Sequence, residues 1–510
     1  MTMTHPGLPD PWLWLALAVM SFSLLWVLFF TPKKLSTHSF LNVEKIPLIG
    51  WLARLFVASP WPLLLLKLIS VALFLTVIAA GLFGTPMAER NLATTLTWTV
   101  WWSGLIVTVF FLGSAWCAVC PWDTIASWLV KRRLWRRADA SSSLGLKFPK
   151  AWRNVWPALA MFVGLTWLEL GVGVTTNPYA TAVLSLVMIV LATIYMAVFE
   201  SKVFCKHVCP VGRTVGFYAQ LSMVELRPRL QKTCDSCKTM ECYHGTKEIE
   251  PCPTNLVMGT LTQSTYCTSC SACTMSCPHD NVGWRVRSPA AEAIQHARPH
   301  WDEAWFMLGL LGLTTFHGIT MMEFWEQGLS WFGQLIGDSG QLIWSFSVGM
   351  ALVFIAPILL YSLLIKLTQI LLPVKVGFKQ LFAKLAFISL PLAFVYHIAH
   401  NLNHLVRESR GFSDVLINPL GKDTLPLSSA ELHMRHMNPL MSEQFLYGLQ
   451  AGLMAFGFWL ALQILQKRSL EIFSDAAAWR AVYQVPGIIF ITIITAINLW
   501  LLVQPMIMRM

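Results

Sequence analysis

The chain has 510 residues, of which 55% are apolar and only 12% are charged, and its mean hydropathy is +0.57. Soluble domains carry about twice that share of charge, roughly 25%, so the composition excludes an ordinary soluble domain and indicates an integral membrane protein. The net charge of +11 does not indicate nucleic-acid binding, because most basic residues stand in short loops beside apolar segments. We therefore expect contact with membrane lipid and no nucleic-acid partner.

Ten apolar segments approach the roughly 20 residues that a membrane-spanning helix needs. No basic residue and no small-residue cleavage site accompany the first segment, so we expect it to be retained rather than removed as a signal peptide. The predicted fold class is an all-α polytopic membrane protein with about ten transmembrane helices. The predicted segments are 12–30, 61–84, 95–116, 155–172, 179–199, 303–322, 342–365, 381–403, 445–466 and 482–505.

The basic residues predict how these helices are oriented. Lysine and arginine are concentrated in alternate loops, and the positive-inside rule places such loops in the cytoplasm. The protein is then predicted to lie in a bacterial inner (cytoplasmic) membrane with both termini outside. The loop 405–443 is an exception, because it is assigned outside although it carries four basic residues. Three units are predicted: an N-terminal five-helix membrane domain (1–200), a cytoplasmic iron–sulfur domain (201–300) and a C-terminal five-helix membrane domain (301–510).

Two cysteine pairs stand where the third and fifth apolar segments end, and each is followed by proline. Both segments end at the predicted inner face, so the pairs are expected at the same depth on neighbouring helices. Their four thiols would suit a third metal site or two redox dithiols. The alternative is a structural turn in which proline stops the helix. The pairs are Cys117-x-x-Cys120-Pro121 and Cys205-x-x-x-Cys209-Pro210.

A polar island, residues 234–278, holds the other eight of the twelve cysteines. Its second half has the Cys-x-x-Cys-x-x-Cys-x-x-x-Cys-Pro spacing of bacterial ferredoxins, in which the fourth thiolate ligates the other [4Fe–4S] cluster. This crossed pattern predicts a ferredoxin-like insert with two clusters, although paired structural zinc sites would also use four thiolates each. The predicted ligand sets are Cys252, Cys267, Cys270 and Cys273 for one cluster, and Cys234, Cys237, Cys242 and Cys277 for the other.

Cys-Pro motifs after two membrane helices, followed by a two-cluster ferredoxin segment, resemble the NapH/NosR family of membrane electron-transfer proteins. The layout is also similar to that of the assembly protein CcoG/RdxA. The resemblance covers about residues 95–285, and it implies electron exchange with the quinone pool and transfer through clusters to a protein partner in a respiratory complex. The motif at Cys117 is one residue shorter than the usual Cys-x-x-x-Cys-Pro, and the five segments after residue 300 lie outside the minimal NapH layout.

Histidines in the apolar segments of the C-terminal half form a second candidate site. His317 lies within the sixth segment, His397 and His400 lie within the eighth, and His404 stands at its outer edge. Ionisable residues inside a membrane are costly, which makes them functional candidates. His317 and His397 are predicted at matching depth on two helices, as the axial ligands of a b-type haem would be. His400 or His404 could replace His397 or bind a quinone, and polar packing between helices is the alternative.

These features predict a membrane-bound electron-transfer protein that connects the quinone pool with a redox partner, as a quinol dehydrogenase-type oxidoreductase subunit would. Its cofactors would be two [4Fe–4S] clusters, a third metal site and a b-type haem. The alternative function is an assembly factor that delivers electrons to a metal or disulfide centre of another respiratory enzyme. A loop with the sequence His-Met-Arg-His-Met at 433–437 would favour that alternative if it bound copper.

Overall fold

The computed structural model describes residues 4–30, 40–47, 49–131, 143–372, 375–472 and 480–507. Within the described helices, the side chains at positions 58, 432, 433, 436, 437, 480 and 481 are not described. The basic run after Lys131 and the side chains of His433, His436 and Met437 in the His-Met loop therefore lie outside the described part.

All ten predicted segments form long helices. Each has an apolar sequence with few charged residues. Because lipid offers no hydrogen bonds, such a segment has to pair its backbone groups internally, and a helix does so. The helices are α1 (Asp10–Phe29), α2 (Trp61–Phe83), α3 (Leu92–Leu112), α4 (Trp156–Gly171), α5 (Pro178–Val198), α6 (Trp301–Ile319), α7 (Ile343–Leu371), α8 (Phe378–Glu408), α9 (Glu443–Ile472) and α10 (Arg480–Val503).

The predicted all-α polytopic fold is confirmed, with eight to nine candidate spans among the described residues beside the predicted number of about ten. Eight of the described helices are long and apolar enough to cross a membrane, which makes a multi-pass membrane protein. Helix α4 has 16 residues, or about 24 Å, and falls short of a hydrocarbon core of about 30 Å. Helix α6 qualifies only together with the following helix Glu323–Ile336, from which it is bent by 92°, so this pair counts at most as a ninth span.

Short helices and strands connect the long ones. The shorter helical segments are Val43–Lys45, Ile49–Ala58, Ala88–Arg90, Trp116–Val119, Pro121–Lys131, Lys150–Trp152, Val174–Thr176, Phe204–Val208, Pro210–Tyr218, Ala219–Leu221, Gln231–Asp235, Glu241–His244, Met258–Thr260, Ala272–Ser276, Glu292–His296, Glu323–Ile336, Phe412–Ile417 and Ser429–Met437. The strands are β1 (Thr4–His5), β2 (Phe40–Asn42), β3 (Val224–Pro228), β4 (Val282–Arg287) and β5 (Met506–Ile507).

Helix α8 is the centre of the bundle. It packs against α3, α6, α9 and α10, and 94% of its most apolar 18-residue window is buried within the protein. The corresponding windows of α1, α2 and α3 are only 22–28% buried, so their large apolar side chains are left for lipid. Helix α1 packs against α9 and thus joins the C-terminal helices. Membrane helices buried by other helices can carry polar side chains, and α8 carries three of the candidate histidines.

The cysteine island and the chain termini lie at opposite ends of the bundle. Antiparallel strands β3 and β4 enclose the island, and β2 extends the sheet in the order β2-β4-β3. At the other end, β1 pairs antiparallel with β5, and Ile507 donates a backbone hydrogen bond to Met321 just beyond α6. The cytoplasmic position of the island and the outer position of the termini stay predictions.

Candidate metal centres

The two Cys-Pro motifs begin helices rather than only ending them. Pro121 opens the helix Pro121–Lys131, and Pro210 opens the helix Pro210–Tyr218, where a missing backbone N–H costs nothing. Cys209 caps its helix, and its Sγ accepts a hydrogen bond from the Gly212 N–H at 3.3 Å. Burial raises the pKa of Cys209, and this turn offsets part of that effect because helix N-termini stabilise negative charge.

The structure brings the four thiols of these motifs together, and we call them the membrane-edge tetrad (Cys117, Cys120, Cys205 and Cys209). Cys209 interacts electrostatically with each of the other three. Burial raises the pKa of Cys117 to about 12, and it raises the pKa of Cys120 and Cys205 well above the ordinary thiol value. A coordinated metal would keep these buried thiols ionised, since a coordinating thiol is deprotonated outright.

Buried charges surround the membrane-edge tetrad. Lys202 forms an ion pair with Asp123, whose other carboxylate oxygen accepts a hydrogen bond from the Cys205 thiol at 3.7 Å. Arg213 is 1% exposed, lies 4.6 Å from the centre of the Tyr266 ring and donates to the Thr265 carbonyl at 2.8 Å. The positive side chains offset the negative charge that a thiolate-ligated cluster would place here.

The eight island cysteines form two further groups. In the distal tetrad, Cys242 interacts electrostatically with Cys234, Cys277 and Cys237. Hydrogen bonds from the Met240 backbone and from the Thr239 side chain lower the pKa of Cys237, whereas burial raises the pKa of Cys234 and Cys242. The distal tetrad therefore has one edge at the surface. It consists of Cys234, Cys237, Cys242 and Cys277.

The middle tetrad is more deeply placed. Its members line one cavity together with Leu226 and Met258, and burial raises the pKa of Cys267 to about 11. Cys273 interacts electrostatically with the other three members, and burial holds its pKa well above the ordinary value. The tetrad consists of Cys252, Cys267, Cys270 and Cys273. The chain thus groups the island thiols as the crossed ferredoxin spacing predicts, and their role as ligands stays a prediction.

Backbone geometry in the island suits iron–sulfur ligation. Amide N–H groups of Leu256, Ser269 and Asn281 donate to the sulfurs of Cys252, Cys267 and Cys277 at 3.3–3.4 Å. Left-handed conformations at Ser269 and Ser271 fold the loop around the middle tetrad. Hydrogen bonds to the ligand sulfurs tune the reduction potential of a cluster. None of the twelve cysteines is in a disulfide, so all twelve thiols are available as ligands. The residues present fit one [4Fe–4S] cluster in each tetrad.

The three tetrads form a continuous series. Cys242 of the distal tetrad interacts with Cys273 of the middle tetrad, and Cys267 of the middle tetrad interacts with Cys117 at the membrane edge. A hydrogen bond of 2.9 Å between the hydroxyls of Ser114 and Ser269 joins the loops that carry these cysteines. Electron carriers bound in this order would lead from the surface of the island to the end of α3.

The histidines converge at the far end of α6 and α8, but in a different arrangement from the predicted one. The ring of His317 lies against that of His400, with centroids 5.3 Å apart and planes at 63°. The ring centroids of His400 and His404 are 5.0 Å apart. His397 instead lies 5.6 Å from the ring of Trp102, and its Nδ1 is 3.3 Å from the hydroxyl of Tyr218.

The residues present do not fit the predicted haem. A bis-histidine haem requires the macrocycle to lie between two imidazoles. His317 and His400 are in direct ring contact, which leaves no slot for a macrocycle between them, and His397 is turned toward Trp102 and Tyr218. The three-residue step from His397 to His400 turns the two side chains to different neighbours, and the spacing along the sequence did not reveal which one meets α6.

Aromatic side chains that no sequence motif singled out connect the histidines to the membrane-edge tetrad. Ring centroids are 5.9 Å apart for Trp102 and Trp101, and 5.4 Å apart for Trp101 and Trp116, the residue before Cys117. A π-helical turn at Thr95–Trp101 shifts the helical register directly before Trp102. The available signal was the concentration of tryptophan around 98–122 in a chain with 24 tryptophans.

A second connection runs along the helix Pro210–Tyr218. Cys209 caps its first turn, and Tyr218 at its last turn lies against His397. Nine residues of helix span about 14 Å. One rigid element therefore holds the membrane-edge tetrad at a constant distance from the histidines.

A cavity of about 370 Å³ opens beside the histidines, at the end of the bundle opposite the cysteines. This volume lies within the range of small-molecule sites, roughly 300–1,000 Å³. Its walls combine aromatic rings with ionisable groups. They include Trp98, Trp102, Glu169, His317, His404 and Arg410.

Comparison with known proteins relates these sites to iron–sulfur electron carriers. A family described as "4Fe-4S binding domain" matches residues 94–138 and 181–223, which contain the whole membrane-edge tetrad. "Putative electron transport protein YccM" of Escherichia coli (strain K12) is 26% identical over 118 residues, which cover 22% of this chain and 30% of YccM. "Methylamine utilization ferredoxin-type protein MauN" of Paracoccus denitrificans (strain Pd 1222) is 27% identical over 154 residues, 26% of this chain and 50% of MauN.

The chain therefore spans only a third to a half of the length of these relatives. No solved structure matches it. The family match and both relatives agree with the resemblance noted from the sequence. The protein is a membrane iron–sulfur protein with similarity to ferredoxin-type electron-transport proteins, and an electron-transfer role is supported.

Proposed function

We propose that the protein passes electrons between a quinone bound in the 370 Å³ cavity and a redox partner at the cysteine end of the bundle. The observation that carries this proposal is the unbroken series of redox-capable side chains between these two places. Three cysteine tetrads are followed by Trp116, Trp101 and Trp102, and Trp102 lines the cavity. The [4Fe–4S] clusters that we assign to the tetrads would supply one-electron storage.

The cavity has the groups that quinone chemistry requires. Oxidation of a quinol to a quinone releases two electrons and two protons, so a proton acceptor has to stand beside the ring. Glu169 is half-buried in the wall of the cavity, and in the proposal it takes up the two protons one after the other and passes each to solvent. Trp98 and Trp102 offer flat apolar surfaces for the ring, and Arg410 supplies a cation near a carbonyl oxygen.

The electrons would be exchanged with the partner at the cysteine end. A larger cavity, about 1,120 Å³, reaches both Cys270 of the middle tetrad and Cys277 of the distal tetrad. Basic side chains in its wall outnumber acidic ones by six to four, which favours a partner with an acidic docking surface. The basic residues are Arg54, Lys67, Lys131, Lys202, Arg229 and Lys247.

The experiment is anaerobic electron exchange with the purified protein in detergent, followed by EPR of the clusters. We expect a short-chain quinol to reduce the same clusters that dithionite reduces, as seen in their EPR signals, or the matching quinone to reoxidise those clusters. Glu169→Gln should slow this exchange, while Glu323→Gln, an exposed carboxylate at the same end of the bundle, should not. Clusters that dithionite reduces but that exchange electrons with quinone in neither direction would contradict the proposal.

A further inference from the structure

Five histidines from three separate elements lie near one another, and two of them, His317 and His404, line the cavity. His400 lies within range of electrostatic interaction with His5, His317, His397 and His404. The rings of His5 and His404 have their centroids 5.8 Å apart. Such a concentration of imidazoles inside a membrane bundle is costly unless the nitrogens have a ligand.

His400 has no hydrogen-bond partner at either ring nitrogen among the described residues, although it is only 2% exposed. The Nε2 atom of His404 is also buried without a partner there. Buried polar atoms nearly always have a hydrogen-bond partner, because an unpaired one is destabilising. These nitrogens on one face of α8 are therefore placed for a ligand that the protein itself does not supply.

Glu408 prepares His404 for metal binding. Its Oε1 lies 2.6 Å from Nδ1 of His404, and its Oε2 accepts a hydrogen bond from Thr99 at 3.4 Å. A carboxylate that holds one ring nitrogen of histidine fixes the ring and leaves the other nitrogen for a metal. One ligand atom from each of His5, His404 and Glu408 lies within 4.8 Å of the others, and the ring centroids of His400 and His404 are 5.0 Å apart, so His5 and His400 both lie beside His404.

The chain termini hold His5 in this position. Strand β1 pairs with β5, with His5 opposite Met506, and Leu8 donates a backbone hydrogen bond to the Leu502 carbonyl at 2.7 Å. His5 itself is only 1% exposed. The N-terminal segment is thus built into the bundle and supplies a donor that neither α6 nor α8 carries.

We propose that His5, His400 and His404 bind a single first-row transition-metal ion, with Glu408 orienting His404. Three imidazoles suit zinc, copper, iron or nickel, whereas magnesium and calcium prefer oxygen ligands. A set of three protein ligands leaves one position open. Because His404 also lines the cavity, that open position would face the molecule bound there. This site is independent of the quinone chemistry proposed above, since a metal content can be measured without electron transfer.

The test is elemental analysis of the purified holoprotein together with acid-labile sulfide. Iron in [4Fe–4S] clusters is matched by equal sulfide, so one further metal per chain appears as excess iron or as another element. Protein isolated without it should take up one equivalent of Zn²⁺ with iron and sulfide unchanged. His400→Gln combined with His404→Gln should abolish the excess and the uptake. Exposed His300→Gln should retain both, and so should His433→Gln with His436→Gln in the His-Met loop.

A milder variant, Glu408→Gln, keeps all three histidines and so separates loss of metal binding from loss of the fold. We expect its Zn²⁺ affinity to fall by roughly 10–100-fold while the cluster EPR signals persist. The proposal is overturned if the wild type holds no excess metal and takes up no Zn²⁺, or if the double histidine variant binds as the wild type does. The α-band of a bis-histidine b-type haem in the purified protein would also overturn it.

Discussion

The ion pair between Asp123 and Lys202 offers a quantitative test of how the membrane-edge tetrad is held. Their side chains are 6% and 13% exposed, so little solvent screens the pair. Asp123→Asn leaves the Lys202 ammonium buried without its counter-charge, which costs about 3–5 kcal/mol for a buried pair. The double variant Asp123→Asn with Lys202→Met has no unpaired charge, and we expect it to be close to the wild type in unfolding free energy.

The assay is denaturant-induced unfolding in detergent for both single variants and the double variant, with iron content measured in each. The pair Lys131–Glu250 is a matched control, because its side chains are 29% and 35% exposed. Its loss in Glu250→Gln should cost only about 0–1 kcal/mol. The reasoning is refuted if Asp123→Asn is no more destabilising than Glu250→Gln, or if the double variant is as unstable as Asp123→Asn alone.

Three further changes probe other parts of the molecule. Cys209→Ser should lower the iron content from about twelve to about eight atoms per chain, since each cubane holds four irons, and unchanged iron would contradict a third cluster. Trp101→Leu should slow quinone-dependent cluster reduction, measured by stopped flow, with iron content unchanged. Trp14→Leu changes a lipid-facing tryptophan and should leave that rate unchanged. Gly318→Ala places a Cβ 1.8 Å from the Tyr396 hydroxyl and should cost about 1–3 kcal/mol of unfolding free energy, part of which Tyr396→Phe restores.

The groups of island thiols were predictable because short spacings leave few ways to place four sulfurs around one cluster. Cys267, Cys270 and Cys273 are separated by two residues each, so only the fourth member of their set had to be found across the loop. The helical segments were also predictable from apolar runs. Their exact number as spans was not, since an apolar run shows neither that α4 ends after 16 residues nor that the chain bends by 92° after α6.

The histidine site was only half predictable. A histidine within an apolar segment is a visible signal, and the structure brings the histidines of α6 and of the far half of α8 together. The rotation and depth of α8 relative to α6 decide that His400, and not His397, meets His317. These quantities depend on packing against several helices at once. His5 gave no signal, because only the β1–β5 pairing brings it to His404.

The pairing of Thr4–His5 with Met506–Ile507 has a consequence for biogenesis. A ribosome makes Met506 501 residues after His5. During translation, α1 can enter the membrane, but His5 has no strand to fix it beside His404. Occupation of the proposed three-histidine site would therefore be a late event, which follows only after α10 has been inserted and β5 has met β1. Cluster insertion at the opposite end has no such dependence, because its cysteines all lie between residues 117 and 277.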